Sequence, residues 1–119
     1  MAQTTKRFEL PLEGSKLKQE VLDEIIRRAV EVAKPDRIIL FGSAARGDMT
    51  HDSDVDLLVV KSGVEDRVRL AQEIHLSFWG LLVPVDVIVV TPEDIQKFAN
   101  GVGTIIPYAL EEGKVVYGS

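Results

Sequence analysis

Three short runs of β-branched and aromatic residues constrain this chain most: residues 37–41 (Arg37-Ile38-Ile39-Leu40-Phe41), 56–60, and 85–90 (Val85-Asp86-Val87-Ile88-Val89-Val90). The first is bounded by Pro35 on one side and Gly42-Ser43 on the other, and all three read as strands. Between them the apolar spacing is helical. Over 15–34 the apolar positions include Leu17, Val21, Leu22, Ile25, Ala29 and Ala33, with Ser15 as the expected cap and Pro35 as the stop. Over 64–82 the expected face is Val64, Val68, Ala71, Ile74, Phe78 and Leu82. Thr91-Pro92-Glu93-Asp94 supplies a capping hydroxyl, a proline at the first helical position and acids in the first turn, so a helix should run to about Asn100-Gly101. A last helix over 104–112 stops at Gly113, and a strand follows over 114–117. Strands separated by helices in so small a chain predict an α/β or α+β fold, with a small mixed sheet flanked by helices.

The 119 residues leave room for one domain, placed at 15–119, with 1–14 as a tail or short strand that includes an extended piece at Phe8-Glu9-Leu10. With 45% hydrophobic residues a core needs no covalent staples. There is no cysteine, which removes disulfides, thiolate zinc sites and thiol nucleophiles together. Fourteen Lys and Arg against nineteen Asp and Glu give a net charge of −5, a poor balance for coating a nucleic acid. No apolar run approaches the ~20 residues needed to span a bilayer, and the N-terminus lacks the apolar core of a secretory signal. The expectation is a cytoplasmic protein.

Chemistry concentrates in residues 41–60. A Gly42-Ser43 pair follows the first strand, and Asp54-Val55-Asp56 opens the second after ten intervening residues. Side chains at i and i+2 of a strand share a face at roughly 6.5–7 Å, so Asp54 and Asp56 point the same way. Carboxylates that close repel unless a cation sits between them, and a hard oxygen-seeking ion such as Mg²⁺ suits them. Asp86 stands alone among apolar neighbours in the third strand, where a carboxylate is costly unless paired, coordinated or at the rim. If the second and third strands are neighbours, about 4.8 Å apart, Asp86 joins the other two. Three carboxylates can hold two metals ~3.5–4 Å apart, the arrangement of phosphoryl and nucleotidyl transfer. Gly42 lets a phosphate approach the backbone, and Ser43 offers a hydroxyl and an N–H.

Each residue also has a plainer reading. Asp54 and Asp56 could be acids of a solvated strand edge, Ser43 a turn hydroxyl, and Arg46 either a phosphate contact or a partner of Asp48. His51 and His75 suit an exposed loop and a helix surface. Phe78, Trp79 and residues 81–83 could be core or a partner surface.

The spaced set resembles the signature of the polymerase-beta-type nucleotidyltransferases. The fuller Gly42-Ser43-Ala44-Ala45-Arg46-Gly47-Asp48 form, the Ser53-Asp54 junction and the short chain resemble their minimal (MNT) subfamily over about residues 35–117. The resemblance implies that Gly42, Ser43, Arg46 and Ser53 hold a nucleoside triphosphate. It implies that Asp54, Asp56 and Asp86 are catalytic and bind Mg²⁺, with two ions expected. It further implies AMP transfer from ATP to a hydroxyl of a partner macromolecule, a tyrosine of a HEPN-type RNase toxin, with this chain as antitoxin. A protein acceptor is favoured over nucleic acid by the net acidity, no membrane partner is expected, and a homo-oligomer stays open. The rival from another class is a non-catalytic nucleotide-binding module that neutralises its partner by contact. A phospho-receiver needs its paired acids after the first strand, where this chain has Gly42-Ser43. Transfer to a small molecule would need an acceptor pocket that so short a chain hardly supplies.

Overall fold

The computed structural model describes residues 10–98 and 105–118. The chain runs through a tight hairpin (β1, Leu12–Glu13; β2, Lys16–Leu17), α1 (Gln19–Ala33), β3 (Arg37–Phe41), a one-turn helix α2 (Ser43–Arg46), β4 (Val55–Val60) and α3 (Arg67–Leu76). It continues through β5 (Val85–Val90), α4 (Pro92–Phe98), α5 (Ile105–Glu112) and β6 (Lys114–Gly118). The main sheet has the order β5-β4-β3-β6. β4 and β5 pair in parallel across the α3 crossover, while β3 pairs antiparallel with both β4 and β6. This is the mixed sheet flanked by helices that the sequence predicts.

Strand alternation divides the core into two layers. Ile38, Leu40, Val55, Leu57, Val59, Val85 and Val89 face α1 and α3, where they meet Ile25, Ala29, Ile74 and Phe78. Ile39, Phe41, Leu58, Val60 and Val90 face α5 through Ile106 and Ala109. Leu57 and Leu58 are both fully buried, on opposite faces of one strand. Each such side chain contributes roughly 1.5–3 kcal/mol by leaving water. Among the described residues, no helix is long and apolar enough to cross a membrane.

Three expectations are corrected. The first helix begins at Gln19 without a side-chain cap, because Ser15 is spent elsewhere. Its Oγ donates to Gly47 O at 2.7 Å and its carbonyl accepts from Met49 N at 2.9 Å. That helix ends at Ala33, capped by Lys34, whose left-handed backbone (φ 46°) returns its N–H to Val30 O. The second helix covers Arg67–Leu76 and not 64–82. Asp66 caps its start by accepting from Arg69 N at 3.0 Å. Past Leu76 the chain turns, and Arg28 Nη1 donates to Ser77 O at 2.9 Å and to Trp79 O at 2.8 Å, holding the turn open. Of the expected apolar face, Ile74 and Phe78 are buried, but Val68 and Leu82 are exposed, as is Trp79.

The α4 start follows the sequence closely: Asp94 N donates to Thr91 Oγ1 at 3.0 Å and Thr91 N to Asp94 Oδ2 at 2.9 Å, a reciprocal capping box. Its expected end near residues 100–101, the residue 104 start of the next helix, and Phe8-Glu9 of the extended piece lie outside the described residues. The boundary expected between residues 14 and 15 falls in the turn of the β1–β2 hairpin.

Candidate active site

At the end of β3 the backbone turns sharply through Gly42, with φ 73° and ψ −154°, a conformation open only to glycine. A second constraint acts at the same residue: a Cβ placed there would collide with Asp56 Oδ2. Ser43 then opens α2. Gly42 O accepts from Ala45 N and Arg46 N at 3.1 Å, and Ser43 O accepts from Gly47 N at 2.9 Å and Asp48 N at 3.2 Å.

β4 carries Asp56 opposite Phe41 of β3 on one side and opposite Asp86 of β5 on the other. The sheet register thus brings together the two acids that the sequence places 30 residues apart. Alternation puts Asp56 on the Leu58 face and Asp86 on the Ile88 face, both on the α5 side of the sheet. Asp54 lies just before β4 and is partly buried. Asp86, set among apolar neighbours in the sequence, stands exposed at the sheet rim, which limits the cost of its burial.

The carboxylates perturb one another. Partial burial, then the charges of Asp86 and Asp54, hold Asp56 above the usual carboxylate range, with Arg46 opposing. Desolvation, then the charge of Asp54 and a hydrogen bond with it, raise Asp86, with His75 opposing. Such crowding is what a cation relieves. Among the described residues no group of three or more acidic or histidine side chains is placed to hold a metal ion. The adjacent pair Asp56 and Asp86 could supply some of the oxygens that a Mg²⁺ ion needs, leaving the rest to substrate phosphates and water.

Asp56 and Asp86, but not Asp54, line a cleft of about 640 Å³, bounded also by Phe41, Val87 and Ile88 of the sheet, by Gly42, Ser43 and Arg46 at the α2 turn, and by Ile105 and Tyr108 of α5. Arg46 Nη1 donates to the Tyr108 hydroxyl at 2.6 Å, and its Nε donates to Asp48 at 3.1 Å. Tyr108 also meets Phe41 edge-on, ring centroids 6.2 Å apart. Arg46 therefore both pairs with Asp48 and lines the cleft.

Ser53 is not among the cleft-lining residues. Its hydroxyl accepts from Thr50 N at 2.9 Å, closing the loop that leads to Asp54. His51 is exposed beside Asp52, and His75 sits on α3 with its Nδ1 3.2 Å from Val85 O. Ile105 belongs to no motif, and nothing local in the sequence selects a role for Tyr108, which could equally be modified or stack on a base. The available signal was their i, i+3 spacing, which puts both on one face of α5.

Residues 20–116 match the family model described as "Nucleotidyltransferase domain". A Methanocaldococcus jannaschii protein named "Putative protein adenylyltransferase" is 31% identical over 109 residues, covering 86% of this chain and 73% of that protein. Among solved structures, a chain of "Crystal structure of the toxin-antitoxin with AMP-PNP" superposes with a TM-score of 0.56 at 24% identity, covering 82% of this chain and 73% of that one. A chain of the tri-AMPylated Shewanella oneidensis HEPN toxin in complex with MNT antitoxin superposes with a TM-score of 0.52 at 22% identity, covering 85% and 72%. At those identities the structures establish a shared fold.

Proposed function

Because the chain belongs to the nucleotidyltransferase domain family, we propose that it is a Mg²⁺-dependent protein adenylyltransferase moving AMP from ATP to a tyrosine hydroxyl of a HEPN-type toxin, for which it is the antitoxin. The observation that carries this reading is the register pair Asp56–Asp86 on adjacent parallel strands, facing one cleft with the Gly42-Ser43 turn. The adenylyltransferase name of the relative and the toxin–antitoxin complexes among the structural neighbours support the nucleotide and the partner.

Gly42, Ser43 and Arg46 carry the triphosphate, the first by letting the backbone come close and the last by its charge. Ser53 acts on it at one remove, through the loop its hydroxyl closes. Asp54, Asp56 and Asp86 would hold Mg²⁺, which when bound neutralises the triphosphate and favours the ionised acceptor oxygen. The acceptor oxygen attacks the α-phosphorus, a new P–O bond forms, and the bond to the β-phosphate oxygen breaks to release pyrophosphate. Asp86 takes the hydroxyl proton, since it stands at the rim where a second protein can reach it. Tyr108 walls the cleft and positions Arg46.

Incubation of the chain with α-labelled ATP, Mg²⁺ and the HEPN-type product of a neighbouring gene should place label on a tyrosine of that product. Asp54→Asn should abolish the label. A wild-type chain that neutralises the toxin with no label transferred would overturn the reading in favour of contact alone.

A further inference from the structure

β5 is an outer strand: among the described residues it pairs with β4 alone. The direction of its peptide groups follows from two bonds at its ends. Pro84 O accepts from Val55 N and Val90 O from Lys61 N, both at 2.9 Å. Residues 84, 86, 88 and 90 therefore turn their peptide groups toward β4, and Val85, Val87 and Val89 turn theirs outward. The Val85 carbonyl meets His75 Nδ1 at 3.2 Å. Among the described residues, no outward partner meets Val87 or Val89.

This edge floors a groove of about 770 Å³ whose far wall is α3. On that wall Val68 is 68% and Leu76 73% exposed, with Ala71, Gln72 and His75 between them. Arg67 at the mouth is already occupied, its Nε and Nη2 donating to the Asp94 carboxylate at 2.6 and 3.0 Å. Unmet peptide groups select an extended backbone over a helix, because a helix has already used its own N–H and C=O groups. Asp86 identifies the kind of segment: it lines this groove and the cleft alike. A strand laid about 4.8 Å from β5 carries alternate side chains over the face on which Asp86 lies.

We propose that the groove between β5 and α3 docks an extended segment of the acceptor protein by strand addition, pairing with Val87 and Val89 and presenting a hydroxyl side chain to Asp86. The inference rests on the reading of AMP transfer to a protein hydroxyl. It adds how the acceptor is recognised: through its backbone first, and then through small apolar residues alternating around the hydroxyl.

The probe is a synthetic peptide alternating Val and Thr around one central Tyr, with Lys at each end, titrated into the ¹⁵N-labelled full chain. The Val87 and Val89 amides should move most, the Asp86 and Ile88 amides little, and the same pattern should appear in Asp54→Asn. Val68→Glu combined with Leu76→Glu should weaken docking at least tenfold while leaving binding of a non-hydrolysable ATP analogue unchanged. Shifts elsewhere with these amides still, or docking undiminished in the double variant, overturn the inference. So would concentration-dependent shifts of the same amides without peptide and a doubled mass in light scattering, which assign the edge to a second copy. Label transferred to the probe with the edge amides unmoved sinks the docking and leaves the transferase reading intact. Docking at these amides without transfer to the probe supports the groove, while the transferase reading stands or falls on label reaching the toxin.

Discussion

The two ends of β5 carry acids of opposite fortune. Asp94, just past the C-terminal end, accepts from Thr91 N and is gripped by two nitrogens of Arg67. Arg67 first, and then the Thr91 backbone, hold its carboxyl below the usual range against some burial. Asp86, near the N-terminal end, has Asp54 for a neighbour, and partial desolvation, then the charge of Asp54 and a hydrogen bond with it, push it up. At one end the fold consumes the negative charge; at the other it leaves the charge over. Charge that a fold concentrates at its own expense is the mark of a ligand site.

Replacing Asp86 attacks this contrast most directly. Asp86→Asn should lower transfer about 100- to 1,000-fold, the scale of removing one preorganised electrostatic group. Its effect on stability should have the opposite sign. A carboxyl whose folded pKa is raised opposes folding once ionised, so stability is lost as pH rises from the ordinary value through the raised one. The Asn variant should therefore melt higher than wild type at neutral pH without Mg²⁺, and the gain should vanish in acid below the ordinary carboxylate range. A lower melting temperature at neutral pH would mean that Asp86 is a structural acid like Asp94.

The reciprocal change sharpens the other side. Asp94→Ala removes a cap and an ion pair and should cost about 1–2 kcal/mol, read as a fall in Tm of about 4 °C per kcal/mol. Transfer measured at a temperature where both proteins are folded should not change. The Asp94 contribution is present above the ordinary carboxylate pKa and lost as pH falls through its lowered value. The smallest effect is expected at Glu24, whose pKa drops to about 2 through hydrogen bonds from Arg27 and then Arg28. Its side chain is 34% exposed, so solvent screening limits the loss in Glu24→Gln to about 0.5–1 kcal/mol at pH 7. That difference should fade as pH falls from about 5 toward 2 and shrink in high salt.

The legible parts of this fold are those whose cause is local. The run 85–90 became β5 residue for residue, and the Thr91–Asp94 box formed because its partners lie three residues apart. The meeting of Asp56 with Asp86 was legible only on condition that β4 and β5 are neighbours, because it rests on a register that spans 30 residues. Features decided by distant partners were not legible. Ser15 has the look of a cap, but Gly47 and Met49 recruit it from across the chain. The second helix stops early because Arg28 on α1 binds the carbonyls of Ser77 and Trp79. Tyr108 gained its place from Arg46, 62 residues away. The need for glycine at residue 42 was legible as room for phosphate, but not as room for the Asp56 carboxylate.

The hairpin at residues 12–17 also sets the order in which the molecule is assembled. β3 and β4 can pair through contacts close in sequence, whereas the bond from Ser15 to Gly47 closes a span of 32 residues. Loop closure costs entropy before the contact returns any stability, so contacts of this kind form late. The segment that leaves the Gly42 turn is thus locked after β3 and β4 have paired but before β6, which returns to β3 from 74 to 81 residues away, closes the other edge of the sheet.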